Sequence, residues 1–198
     1  MGTIVVPIFL SVSCLVLWRS GRPVQMENGP MENLQVAFLL VGCVLLFTSA
    51  VRNVHPNRML NMGLGLFYLT FIILEVDLRP YNLPTINAIW NGRVRDAWLA
   101  GLWIVAALWS MRSRIAIWES FRAWLPSAAG ILLIIAGLFW LTSGAIDKLH
   151  PIRSKPLSLF VEEILEINAT WLMLVSAWVS TRGCRPAQAH EVNPTHAP

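Results

Sequence analysis

Apolar residues in this chain gather into long blocks, and polar residues are largely confined to the gaps between them. Six blocks stand out: Ile4 to Trp18, Leu34 to Val51, Met59 to Leu74, Ala97 to Met111, Ala128 to Ile146, and Leu157 to Val179. Each approaches the roughly 20 residues that a helix rising about 1.5 Å per residue needs to cross a hydrocarbon core. The alternating ten-residue pattern of a membrane barrel strand does not appear. The pattern therefore predicts an all-α polytopic integral membrane bundle of about six transmembrane helices. The first, third and fourth blocks are short for straight spans and must borrow flanking residues.

The gaps carry helix breakers: Gly29-Pro30, His55-Pro56, Arg79-Pro80, Leu83-Pro84, Leu125-Pro126 and His150-Pro151. Trp18, Trp98, Trp109 and Trp178 sit at block ends, where an indole buries its ring and keeps its N–H wet. Between the fourth and fifth blocks, Ile115, Trp118, Phe121 and Leu125 recur at helical spacing. They predict either an interfacial helix or an extension of the fourth span beyond the bilayer. Residues 1–180 form the expected transmembrane domain. The polar stretch 181–198 has no apolar periodicity and is expected to be a disordered tail.

Composition agrees with a membrane reading. The chain is 56% hydrophobic and 13% charged, with mean hydropathy +0.58, against about 25% charged in soluble domains. Its net charge of +4 and pI of 9.4 would suit nucleic acid, but the Lys and Arg residues are spread through short connections and read as topology determinants. The expected partner is the lipid bilayer, with a membrane protein or a second copy as the further option and no nucleic acid. Cys14, Cys43 and Cys184 offer neither a disulfide framework nor metal-ligand spacing, and no cofactor is expected. No Lys or Arg precedes the first block, and Trp18-Arg19-Ser20 is a poor cleavage context, which favours a span over a cleaved leader.

With six spans both termini share a side, and the connections sort into two faces. Bases divide almost evenly: Arg19, Arg22, Arg79, Arg93, Arg95, Lys148, Arg153 and Lys155 against Arg52, Arg58, Arg112, Arg114, Arg122, Arg182 and Arg185. Acids do not. Glu27, Glu32, Glu75, Asp77, Asp96, Asp147, Glu162, Glu163 and Glu166 map to the first face, and only Glu119 and Glu191 to the face that holds the termini. The uncompensated bases on the terminal face favour the cytoplasm, in a bacterial inner membrane.

The candidate site grows from this asymmetry. Glu166 is a neighbour of both Glu162 and Glu163 on a helix, and lies about 13 Å along the axis from Leu157. A carboxylate at that depth faces the bundle interior and needs a base, a proton or a cation. Glu75 ends the third block beside Arg79, and Arg95-Asp96 enters the fourth. Glu166, Glu163, Glu162, Glu75, Asp96, Arg95 and Arg79 thus form the expected binding site. It would handle a cation, a proton or a lipid head group, with arginine on phosphate or glutamates as hard oxygen ligands. Ion pairing that merely orients helices near water explains Glu27, Glu32, Asp77 and Asp147 equally well.

Two matching stretches suggest an inverted pair of three-helix halves. Thr48-Ser49, His55-Pro56-Asn57-Arg58 and Ile73-Leu74-Glu75 parallel Thr142-Ser143, His150-Pro151-Ile152-Arg153 and Ile164-Leu165-Glu166. Helix ends at an interface account for the same residues without a repeat. The segment Glu27 to Gln35 resembles the entry to a span in bacterial membrane proteins, and the resemblance implies no activity. Ser143-Gly144 lacks a later intramembrane His as base, His55 and His150 fall on opposite faces, and no phosphate-cradling loop is present. Three functions are therefore expected in turn: transport or flipping of an ion, proton or lipid, an accessory role in a membrane complex, or enzymatic action on a lipid-linked substrate.

Overall fold

The computed structural model of the protein describes residues 2–19, 29–53, 57–76, 92–111, 114–149, 151–152 and 154–183. Among them are seven helices and no strand: α1 Gly2–Arg19, α2 Pro30–Arg52, α3 Asn57–Glu75, α4 Arg93–Met111, α5 Arg114–Trp124, α6 Ala128–Leu149 and α7 Lys155–Gly183. Three of these, α2, α3 and α6, are long and apolar enough to cross a membrane, and a fourth crossing results if α4 and α5 are counted together. The chain therefore has the helices of an integral membrane protein, and three or four of the six expected crossings meet that measure. The last turn of α7 runs past residue 180, and the tail expected beyond it lies outside the described residues from 184 onward.

Local sequence sets several helix ends. Pro30 occupies the first turn of α2, where its missing N–H costs nothing, and Asn33 Nδ2 donates to the Gly29 carbonyl at 3.0 Å. Gly92 adopts φ +63 just before α4. Gly130 sits tightly under the turn that joins α5 to α6: a Cβ there would fall 2.2 Å from the Leu125 carbonyl oxygen.

Residue pairs across the bundle fix helix directions. Asn61 donates to Ser49 Oγ at 3.1 Å, and Gly42 leaves room for the Tyr68 ring, so α2 and α3 run antiparallel. Ser143 meets Glu166 and Ser176 meets the Ala129 carbonyl, so α6 and α7 are antiparallel over most of the length of α6. Gln35 meets Glu163 while Gly42 approaches Ala177, which makes α2 and α7 parallel. The shared core is Leu39, Cys43, Leu46, Tyr68, Ala136, Ala169, Leu172, Met173 and Ala177. The Tyr68 hydroxyl reaches the Met173 carbonyl at 2.6 Å, locking α3 to α7.

The bundle is inside-out relative to a soluble domain. Gln35, Ser49, Asn61, Ser143, Asn168, Thr170, Ser176 and Ser180 are buried, while Leu40, Val41, Val44, Ile134, Leu138 and Leu141 are exposed. That is the pattern a lipid solvent imposes, with polar groups turned toward other helices.

Helices α4 and α5 attach differently. Neither contains a buried residue, and their axes meet at 104°. The amphipathic segment is thus a separate helix turned across the end of α4, not a straight continuation of it. The contacts do not support two inverted halves. α2 packs closely on α7, whereas its supposed counterpart α6 meets α3 through side chains such as Phe71 and Trp140, 5.1 Å apart. Glu75 ends its helix while Glu166 lies well inside its own, and the two meet at one end of the bundle.

Candidate functional site

The start of α2, the end of α3, the end of α6 and the start of α7 all lie at one end of the four-helix core. Each contributes carboxylates there: Glu32 from α2, Glu75 from α3, Asp147 from α6, and Glu162, Glu163 and Glu166 from α7. Because these four helices alone set the arrangement, it does not depend on how α1 and α4 cross. The charges act on one another. Glu75 lies within electrostatic reach of Glu166, Glu32 and Glu163, and Glu162 within reach of Asp147. Glu166 in turn feels Glu162 and Asp147.

Two polar side chains hold the cluster. Gln35, only 1% exposed, donates from Nε2 to Glu163 Oε2 at 3.1 Å, and its amide is close enough to act on Glu166 as well. Ser143 donates to Glu166 Oε1 at 2.8 Å. Deeper in, Asn168 donates to Ser11 Oγ at 3.0 Å and to the Ile164 carbonyl at 2.7 Å, tying α1 to α7. Thr170 turns its hydroxyl onto the carbonyls of Glu166 and Ile167.

Lys148 at the end of α6 and Lys155 at the start of α7 lie at this end too, and both are exposed. None of Glu75, Glu162, Glu163, Glu166 and Asp147 forms an ion pair with a described base. Glu75 has no hydrogen-bond partner at all among the described residues. Gln35 Oε1 is buried without a donor, and so is Asn168 Oδ1. The Gln35 amide cannot usefully turn over, since its oxygen would then face the Glu163 carboxylate. A buried acceptor with no partner costs on the order of 1–3 kcal/mol. Among the described residues nothing donates to the Gln35 oxygen.

The seven residues expected at the site divide accordingly. Glu75, Glu162, Glu163 and Glu166 are brought together. Arg95 and Asp96 stay on α4, which packs on α3 and α5, and they face each other at 3.8 Å with side chains 28% and 68% exposed. Neither is among the charges that act on Glu75, Glu163 or Glu166. Arg79 lies outside the described residues. Gln35 and Ser143 were not singled out as site residues from the sequence. Gln35 did leave a trace there, as an amide at the edge of an apolar block, one turn after Glu32.

No group of three or more His, Cys, Asp or Glu side chains gathers closely enough to hold a metal ion among the described residues. Comparison with known protein families, curated proteins and solved structures finds no match, so the chemistry of the cluster itself carries the functional reading.

Proposed function

We propose that this protein is a small membrane transport protein whose cargo or coupling ion is the proton, taken up by the carboxylates of Glu75, Glu163 and Glu166. The observation that carries the reading is the Gln35 oxygen, buried without a donor among carboxylates that form no ion pair with a described base. A carboxyl group that gains a proton becomes a donor, so protonation answers both the charge repulsion and the orphan acceptor. A shared divalent ion would require a tighter gathering of ligands than the cluster offers. A phosphate head group would require a guanidinium at the cluster, and Arg95 is not among the charges that act on Glu75, Glu163 or Glu166. The reading includes six crossings in a bacterial inner membrane, with the end that carries Arg52, Arg58 and Arg182 facing the cytoplasm.

Infrared difference spectra of the protein in liposomes, taken on moving from acidic to alkaline buffer, test the site. A protonated-carboxyl band should vanish on the alkaline side and weaken in Glu166→Gln and Glu75→Gln. Potential-driven acidification of the same liposomes tests transport, and Glu166→Gln should reduce it at least tenfold. A spectrum without such a band, or flux equal to that of empty liposomes, overturns the corresponding half of the reading. A second reading, as accessory subunit of a membrane complex, rests on α4, which buries none of its residues. Copurification of a stoichiometric membrane partner in mild detergent would favour it.

A further inference from the structure

Away from the acidic end, α3, α4, α5 and α6 enclose a recess of about 640 Å³, open on one side. Its walls include Gly63 and Phe67 of α3, Trp103 of α4, Arg114 and Trp118 of α5, and Leu133 of α6. That volume is within the roughly 300–1,000 Å³ of small-molecule sites. We propose that the recess binds one anionic phospholipid, with an acyl chain lying in the groove and its phosphate on Arg114.

Several independent observations converge on that occupant. The lining is apolar apart from Arg114 and Ser110, and the Ser110 hydroxyl is already spent on the Ala107 carbonyl at 2.8 Å. Among the described residues Arg114 has no ion pair and is the only charged side chain in the lining. The nearest acid in its own helix, Glu119, lines a separate polar recess with Asn57, Asn61 and Ser127.

The groove is also built to stay open. A side chain added at Gly63 would meet nothing within 4 Å, so the small residue creates space that no neighbour fills. Trp103 donates its indole N–H to Thr70 Oγ1 at 3.0 Å, which fixes its ring as a wall and leaves no polar group idle. Arg114 opens α5 and is exposed, and the stacked Trp118 and Phe121 rings, 6.0 Å apart, belong to the same lining. An empty apolar gap of this size forfeits dispersion contacts on every wall. In a bilayer the molecule at hand to restore them is a lipid chain. The guanidinium holds the phosphate through paired, charge-assisted hydrogen bonds, and it favours lipids of net negative charge because a choline head group sets its own cation against the guanidinium. Basic pockets between helices recognise anionic head groups by this same chemistry.

Native mass spectrometry of the full chain in detergent, titrated with dioleoyl phosphatidylglycerol or dioleoyl phosphatidylcholine, tests the proposal. Wild-type protein should retain one phosphatidylglycerol about tenfold more tightly than phosphatidylcholine. Arg114→Glu should erase that preference. Gly63→Leu should displace both lipids by filling the groove, and Ala107→Trp should do so from the opposite wall, so the failure of one variant to fold leaves the other to decide. Equal retention of the two lipids by wild-type protein overturns the proposal, as does unchanged binding in a folded groove-filling variant. A protein subunit found stoichiometrically in place of the lipid would also overturn it.

Discussion

The acidic end of the core and the recess under α5 are opposite solutions to the same difficulty. Each leaves charge unpaired among the described residues: several carboxylates without an ion pair in one, a guanidinium without one in the other. At the acidic end Gln35 and Ser143 already hold Glu163 and Glu166, and the partner proposed for the remaining charge is a proton. At the recess the helices stand apart, the walls are apolar, and the missing partner is a whole molecule. The contrast shows that unpaired charge alone does not identify a ligand. The packing around it does.

Four substitutions test the separation of these two regions, in falling order of expected effect. Gly130→Ala should be the most damaging, at about 3 kcal/mol in a detergent melt, because its Cβ meets backbone that cannot step aside. It should abolish the phosphatidylglycerol preference. Proton flux in the folded fraction should persist, since Ala129 and Ser143 are about 20 Å apart along α6. Loss of both activities together would show that the two regions are one system. Gln35→Ala removes the donor to Glu163 and should cost about 2 kcal/mol. Lipid retention should be unaffected.

Glu166→Gln should move stability the other way. The amide still accepts from Ser143, but the charge of the deprotonated carboxylate is gone, so in alkaline buffer the melting temperature should rise by the equivalent of about 1 kcal/mol while flux falls. A fall in stability would instead make Glu166 a structural partner of α6. Trp103→Phe loses one hydrogen bond to Thr70 and should cost about 0.6 kcal/mol, with lipid binding weakened only slightly.

Hydrophobic blocks located the core helices well, since Leu34 to Val51, Met59 to Leu74 and Ala128 to Ile146 each fall inside one observed helix. Lipid forces apolar residues outward along a whole span, and that leaves a continuous signal. The convergence of Glu75 with Glu163 and Glu166 was legible for the same reason, because the alternation of helices places α3's end beside α7's start. Arg95 lies apart from the carboxylates. A charge at the start of a helix can face several neighbours, and here it stays on α4, 3.8 Å from Asp96. Gln35 and Ser143 were illegible as site residues, since a lone polar side chain in an apolar run reads the same whether it caps its own backbone or reaches another helix. Thr142 does the former, bonding Leu138, and its neighbour Ser143 the latter.

The length of α7 has a consequence for the membrane itself. Its 29 residues extend about 43 Å, against roughly 30 Å of hydrocarbon. If the overhang of about 13 Å lies at the acidic end, the boundary falls between Glu163 and Glu166. On the proposed crossing of α7, longer-chain lipids would draw Glu163 inward and shorter ones would release Glu166 to water.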